Sequence, residues 1–79
     1  MRELKIGKTY KHFKGNFYKI LDIVNDANSN ENEQKKIVIY EALYEDHLKW
    51  AREYDEFASE VDREKHPNST QKYRFEEID

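Results

Sequence analysis

Within YEALYEDHLKWAR, residues 40–52, two tyrosines, a tryptophan and an arginine fall inside one expected β-hairpin. Aromatic planes stack on other flat groups, and a guanidinium adds charge and a planar fork, so this set suits recognition of planar or anionic groups. A three-residue loop at 45–47 places Tyr44 opposite Leu48, Ala42 opposite Trp50 and Tyr40 opposite Arg52, all on one face. Ala42 then leaves room for the indole, and Arg52 stacks on the Tyr40 ring. A four-residue loop instead pairs Leu43 with Trp50, Glu41 with Arg52 and Ile39 with Tyr54, sending Tyr40 and Tyr44 to the face opposite Trp50. The first register is preferred.

In that register Tyr40, Tyr44, Trp50 and Arg52, extended by Tyr10 and His12 from the first strand, line a shallow groove. The competing reading is packing, because aromatic side chains in small domains are chiefly core. Other chemistry finds less support. His12, His47 and His66 sit in separate elements without paired spacing, so no zinc site is expected. Gly7 and Gly15 are the only glycines, too few for a phosphate-cradling loop, and no serine or cysteine nucleophile sits in an elbow. Asp46-His47 imitates part of a triad without a nucleophile. Asp55 and Glu56 have no sequence feature that shifts their pKa values for acid–base work. Catalysis is therefore the minority reading, and no cofactor is expected.

The elements that position these residues must be built from 79 residues, which make one domain, 1–79, with a small core. Charged residues make up 39% of the chain and hydrophobic ones 37%, yet 14% are aromatic, too many for a disordered tail. Six Tyr and four Phe must carry much of the burial. With no cysteine, neither disulfides nor thiolate metal sites can brace the fold. The N-terminal MRELKIGKTY has no apolar signal region, and no apolar run is long enough to span a membrane, so a cytoplasmic protein with no membrane partner is expected.

Residues 1–6 read as a lead-in. Strands are predicted at 8–14 and 17–25, with Gly15-Asn16 supplying positive φ for the hairpin. In the second strand Tyr18, Ile20 and Val24 share one parity and Leu21 and Ile23 the other, which suits a curling strand. A polar loop spans 26–35. IVIYEALY makes a third strand at 36–44, LKWAR a shorter fourth, and KYRFEEI a fifth with Tyr73, Phe75 and Ile78 inward. Before the fifth, Tyr54, Phe57, Ala58 and Val61 are spaced for one or two helical turns. His66-Pro67-Asn68-Ser69 is a loop. This order predicts an all-β domain, a small five-stranded SH3-like barrel with one short helical turn before the last strand.

The net charge of −3 speaks against a nucleic-acid partner, although residues 1–20 carry a local excess of +5 and residues 41–64 one of −6. The simpler account is that the basic hairpin lies beside the acidic half, with exposed pairs contributing about 0.2–1 kcal/mol each.

Gly7-x-x-Tyr10-x-His12-Phe13-Lys14-Gly15-x-x-Tyr18, then Val38-x-Tyr40-x-Ala42-Leu43-Tyr44, then Trp50-x-Arg52 with Phe57 beyond, and a closing Arg74-Phe75 resemble the bacterial proteins known as domain of unknown function 1653. The resemblance runs from about 7 to 78. It implies a one-domain bacterial module and no established activity. The family usually has Trp-x-Arg-Pro where this chain has Glu53 after Arg52, and a basic or neutral residue at Glu41.

Three readings follow. The first is a noncatalytic binding module that presents Tyr10, His12, Tyr40, Tyr44, Trp50 and Arg52 to a peptide, a nucleotide-like group or another protein. The second is a nucleic-acid accessory protein using Lys8, Lys11, Lys14 and Lys19. The third is a homodimer formed through the aromatic face or the edge of the fourth strand; the expected state is a monomer or weak homodimer.

Overall fold

The computed structural model describes residues 2–30 and 32–78. Of the expected lead-in 1–6 and polar loop 26–35, Met1 and Glu31 lie outside the described residues. The chain is all-β with one helical turn: β1 (Thr9–His12), β2 (Phe17–Asn25), β3 (Lys36–Ala42), β4 (Lys49–Glu53), α1 (Tyr54–Phe57) and β5 (Phe75–Glu77). All five strands join one antiparallel sheet in the order β4-β3-β2-β1-β5.

The sheet is open. β4 and β5 are its two edges and no ladder joins them, so the expected closure into a barrel is not present. The helical turn stands where closure would occur. It carries Phe57 into full burial, flat against Phe75 with ring centroids 3.9 Å apart and planes 4° from parallel. Tyr10 and Tyr40 meet Phe57 edge-on at 5.7 and 5.1 Å. With Leu4, Ile20 and Val38 these rings make the core, as the aromatic-rich composition requires.

Strand β2 explains its own two-sided apolarity. Ile20 pairs with Tyr40 and Asp22 with Ile39, so Leu21 is an extra residue, a β-bulge. Tyr18 and Ile20 face the core before the bulge, and Ile23, opposite Val38, faces it after. The bulge resets parity and spares Asp22 from burial.

The β1–β2 hairpin closes with Gly15 at φ +110, and Asn16 is not left-handed. The helix lasts one turn because Ala58 caps it and Glu60 bridges to Tyr73, with Val61 N–H donating to Lys72 O at 2.9 Å. That bridge takes the start of the predicted fifth strand, so β5 is three residues. Phe75 is buried as expected, whereas Ile78 is exposed and Tyr73 is half-buried beneath the Arg2 guanidinium, 4.0 Å from its ring.

The β3–β4 hairpin follows neither expected register. Tyr40 pairs with Trp50 and Val38 with Arg52, a slide of two residues from the preferred register, and the Ala42 N–H donates to Leu48 O at 2.9 Å to close the connection 43–47. A connection this long is held by two left-handed residues, Glu45 (φ 50) and His47 (φ 53). An even slide preserves parity. Tyr40, Trp50 and Arg52 therefore still share the face that packs on α1.

Candidate functional site

Toward β4 the sheet face that forms the core runs out of cover. Phe57 fills its middle and Glu56 meets Arg52, but Trp50 is left 51% exposed and Leu48 is exposed as well. Arg52, two residues along the same face, is half-buried. Its Nε donates to the Tyr40 hydroxyl at 3.2 Å, its Nη1 pairs with Glu56 at 2.5 Å, and its guanidinium lies 6.0 Å from the Phe75 ring. The expected stacking of Arg52 on Tyr40 is replaced by this hydrogen bond. Burial pulls the Arg52 pKa down, but the Tyr40 and Glu56 interactions outweigh it and the net direction is up, so the charge is fixed.

Tyr44 leaves β3 beyond Ala42 and returns over Tyr18. Their hydroxyls are 2.7 Å apart and their rings meet edge-on at 5.6 Å. Ala42, opposite Tyr18 in the β2–β3 ladder, is small enough to admit that second ring. Burial, followed by the Tyr44 hydrogen bond, pushes the Tyr18 hydroxyl up to about 12. The Tyr18 phenol stays neutral at ordinary pH.

His12 flanks Tyr18 on β1. Its ring touches Phe75 edge-on at 4.8 Å and lies 4.5 Å from Phe13, which in turn meets His66 at 4.8 Å. The Lys14 N–H donates to His12 Nδ1 at 3.1 Å, which assigns the proton of the neutral ring to Nε2. Burial, then the charges of Lys14, Arg52, Arg74 and His66, lower the His12 pKa to about 4. Those same charges define the site's electrostatics: Arg52 on β4 and Arg74, just ahead of β5, both disfavour protonation of the imidazole. Arg74 is steadied by its Nε on Ser59 Oγ at 3.3 Å.

Of the six residues expected in the groove, the structure brings His12, Tyr40, Tyr44, Trp50 and Arg52 onto one side of the sheet. Tyr10 is the correction. It is 1% exposed, with the Lys5 N–H donating to its hydroxyl at 2.9 Å, and belongs to the core. Tyr40 is 4% exposed and serves as floor, offering its hydroxyl to Arg52. Tyr18 and Arg74 were missed. The shared parity of Tyr18 with Ile20, opposite a small Ala42, is the signal that would have found it.

Of the lysines of the alternative reading, Lys8 is exposed just ahead of β1. Lys11 and Lys19 point to the opposite sheet face, where Lys11 pairs with Glu76 and Lys19 with Glu41, and Lys14 lies in the β1–β2 turn. Of these two cross-strand pairings only Lys19–Glu41 joins the basic 1–20 segment to the acidic 41–64 segment. Two surface clefts, about 480 and 530 Å3, lie elsewhere, one between residues 33–36 and the start of α1, the other around Arg2 and Tyr73. Trp50 and Arg52 line neither. Among the described residues no cluster of His, Cys, Asp or Glu could hold a metal ion, and no helix is long and apolar enough to cross a membrane.

Comparison with curated proteins and with solved structures finds no match. The family comparison agrees with the blocks of residues noted above: the chain matches over residues 8–77, and so belongs to the family described as protein of unknown function (DUF1653).

Proposed function

We propose that this domain is a noncatalytic binding module whose aromatic face takes a planar, anionic group, nucleotide-like in its chemistry. The observation that carries this reading is the exposed Trp50 indole beside a cationic Arg52, in a protein whose other aromatic anchors, Tyr10, Tyr40, Phe57 and Phe75, are fully enclosed. An indole left half in water forgoes part of its burial free energy, and a guanidinium already oriented by Tyr40 and Glu56 loses little entropy on meeting an anion. His12 stays neutral near these cations, so its Nε2–H is available as a donor to a ligand oxygen. The strand order, a four-stranded meander with β5 added beside β1 after a helical turn, supports an SH3-like architecture for the module.

Trp50 is the only tryptophan, so its fluorescence reports the site directly. Titration with nucleoside monophosphates and with acidic, tyrosine-containing peptides is expected to quench or shift that emission, with Arg52→Ala weakening the response roughly tenfold or more. A chain whose emission is unmoved by every member of both panels would refute the reading. Arg52→Ala binding as tightly as the parent would refute the role given to the guanidinium.

A further inference from the structure

Among the described residues, β4 has β3 on one side and no strand on the other. Which backbone groups face that open side is fixed by the ladder. The Ala42 N–H bonds Leu48 O, and the same register makes Tyr40–Trp50 and Val38–Arg52 the hydrogen-bonded pairs. Lys49, Ala51 and Glu53 alternate with them, so their N–H and C=O groups point outward. The strand is short and guarded only by charge: it holds no proline and no bulge, its centre is a small, exposed Ala51, and the charges at its two ends, Lys49 and Glu53, are of opposite sign.

The sequence of this edge is self-complementary in one arrangement. If two copies pair antiparallel about a two-fold axis at Ala51, Ala51 faces itself, and Lys49 of each faces Glu53 of the other. About six new backbone hydrogen bonds then fall on the outward-pointing groups. In the intervening non-bonded positions, where side chains approach most closely, Trp50 meets Arg52 of the second copy on the core side of the sheet. A parallel arrangement in register would set Lys49 against Lys49 and Glu53 against Glu53. In the antiparallel case the exposed Trp50 gains cover from the second copy's Arg52.

We infer that the partner of this edge is a second copy of the same chain, joined β4 to β4 about Ala51 into a continuous ten-stranded sheet. The dimer does not require the ligand proposed above, but it covers the same Trp50 and Arg52 side chains, so the two compete for that surface.

Sedimentation velocity across a wide concentration range tests it. The wild-type chain is expected to associate reversibly to a dimer. Lys49→Glu and Glu53→Lys each place like charges across both arms of the two-fold and are expected to weaken dimerisation roughly ten- to a hundredfold. Mixing the two variants pairs unlike charges again and should restore association as a heterodimer. Ala51→Pro removes an N–H that faces solvent in the single chain, so it should keep the monomer's thermal transition and abolish the dimer. Its Trp50 and Arg52 are intact, so a ligand titration on this variant separates the failure of one proposal from the failure of the other. A wild-type chain that stays at 9.7 kDa throughout would overturn the inference, including the case in which β4 instead takes up an extended peptide. A mixture that fails to recover the lost association, or an Ala51→Pro chain that still dimerises, would also overturn it.

Discussion

His12 shows how one side chain links fold, charge and pH. In the folded chain its pKa lies at about 4, below the ordinary 6.5, because burial and the neighbouring cations oppose a second proton. The unfolded chain binds that proton near pH 6.5 while the folded one does not, so stability falls as pH drops from about 6.5 toward 4 and this contribution levels off below. Since the ring is partly solvated, the loss is discounted to about 1–2 kcal/mol. His12→Asn keeps an acceptor for the Lys14 N–H without the titration. Denaturation midpoints at pH 7 and pH 4.5 should therefore differ less for this variant than for the parent; an equal difference would contradict the assignment. The chemistry of the individual aromatic residues was legible in the sequence, but the enclosure of Tyr10 was not, since alternation gives the face a side chain points to and says nothing of what covers it.

Among the elements, the strands, the polar loop and the helical turn before β5 were readable from period and turn chemistry, and their errors have local causes. The β3–β4 register was misread because Glu45 and His47 carry left-handed backbone with no Gly or Asn to announce it. Glu45→Gly should relieve that strain and raise stability by up to about 1 kcal/mol, measurable as a higher melting temperature. Gly15 presents the converse. A Cβ there meets nothing within 4 Å, so Gly15→Ala should cost about 1–3 kcal/mol through backbone strain at φ +110 alone. Chemical denaturation of the two variants should give opposite signs. The Leu21 bulge was visible only as a change in apolar parity along β2, a pattern that a curled strand produces equally well.

Taken as a whole molecule, this is an open sheet with a core built largely from rings, too small to enclose every aromatic it carries. The sheet is open, and the Phe57–Phe75 stack ties the helical turn after β4 to the far edge strand β5, a long-range contact that strand-by-strand reading does not contain. The face left over at β4 is the one to which the proposed binding role is assigned. The central claim is that Phe57 holds the protein together while Trp50 does not. Thermal unfolding of Trp50→Ala beside Phe57→Ala, at dilute concentration, addresses it most directly. Truncating the exposed indole is expected to cost under about 1 kcal/mol, a fall of less than about 8 °C. Truncating Phe57 should cost about 3–5 kcal/mol and remove most of the cooperative transition. Equal losses in the two variants would place Trp50 in the core and leave the aromatic face without its proposed role.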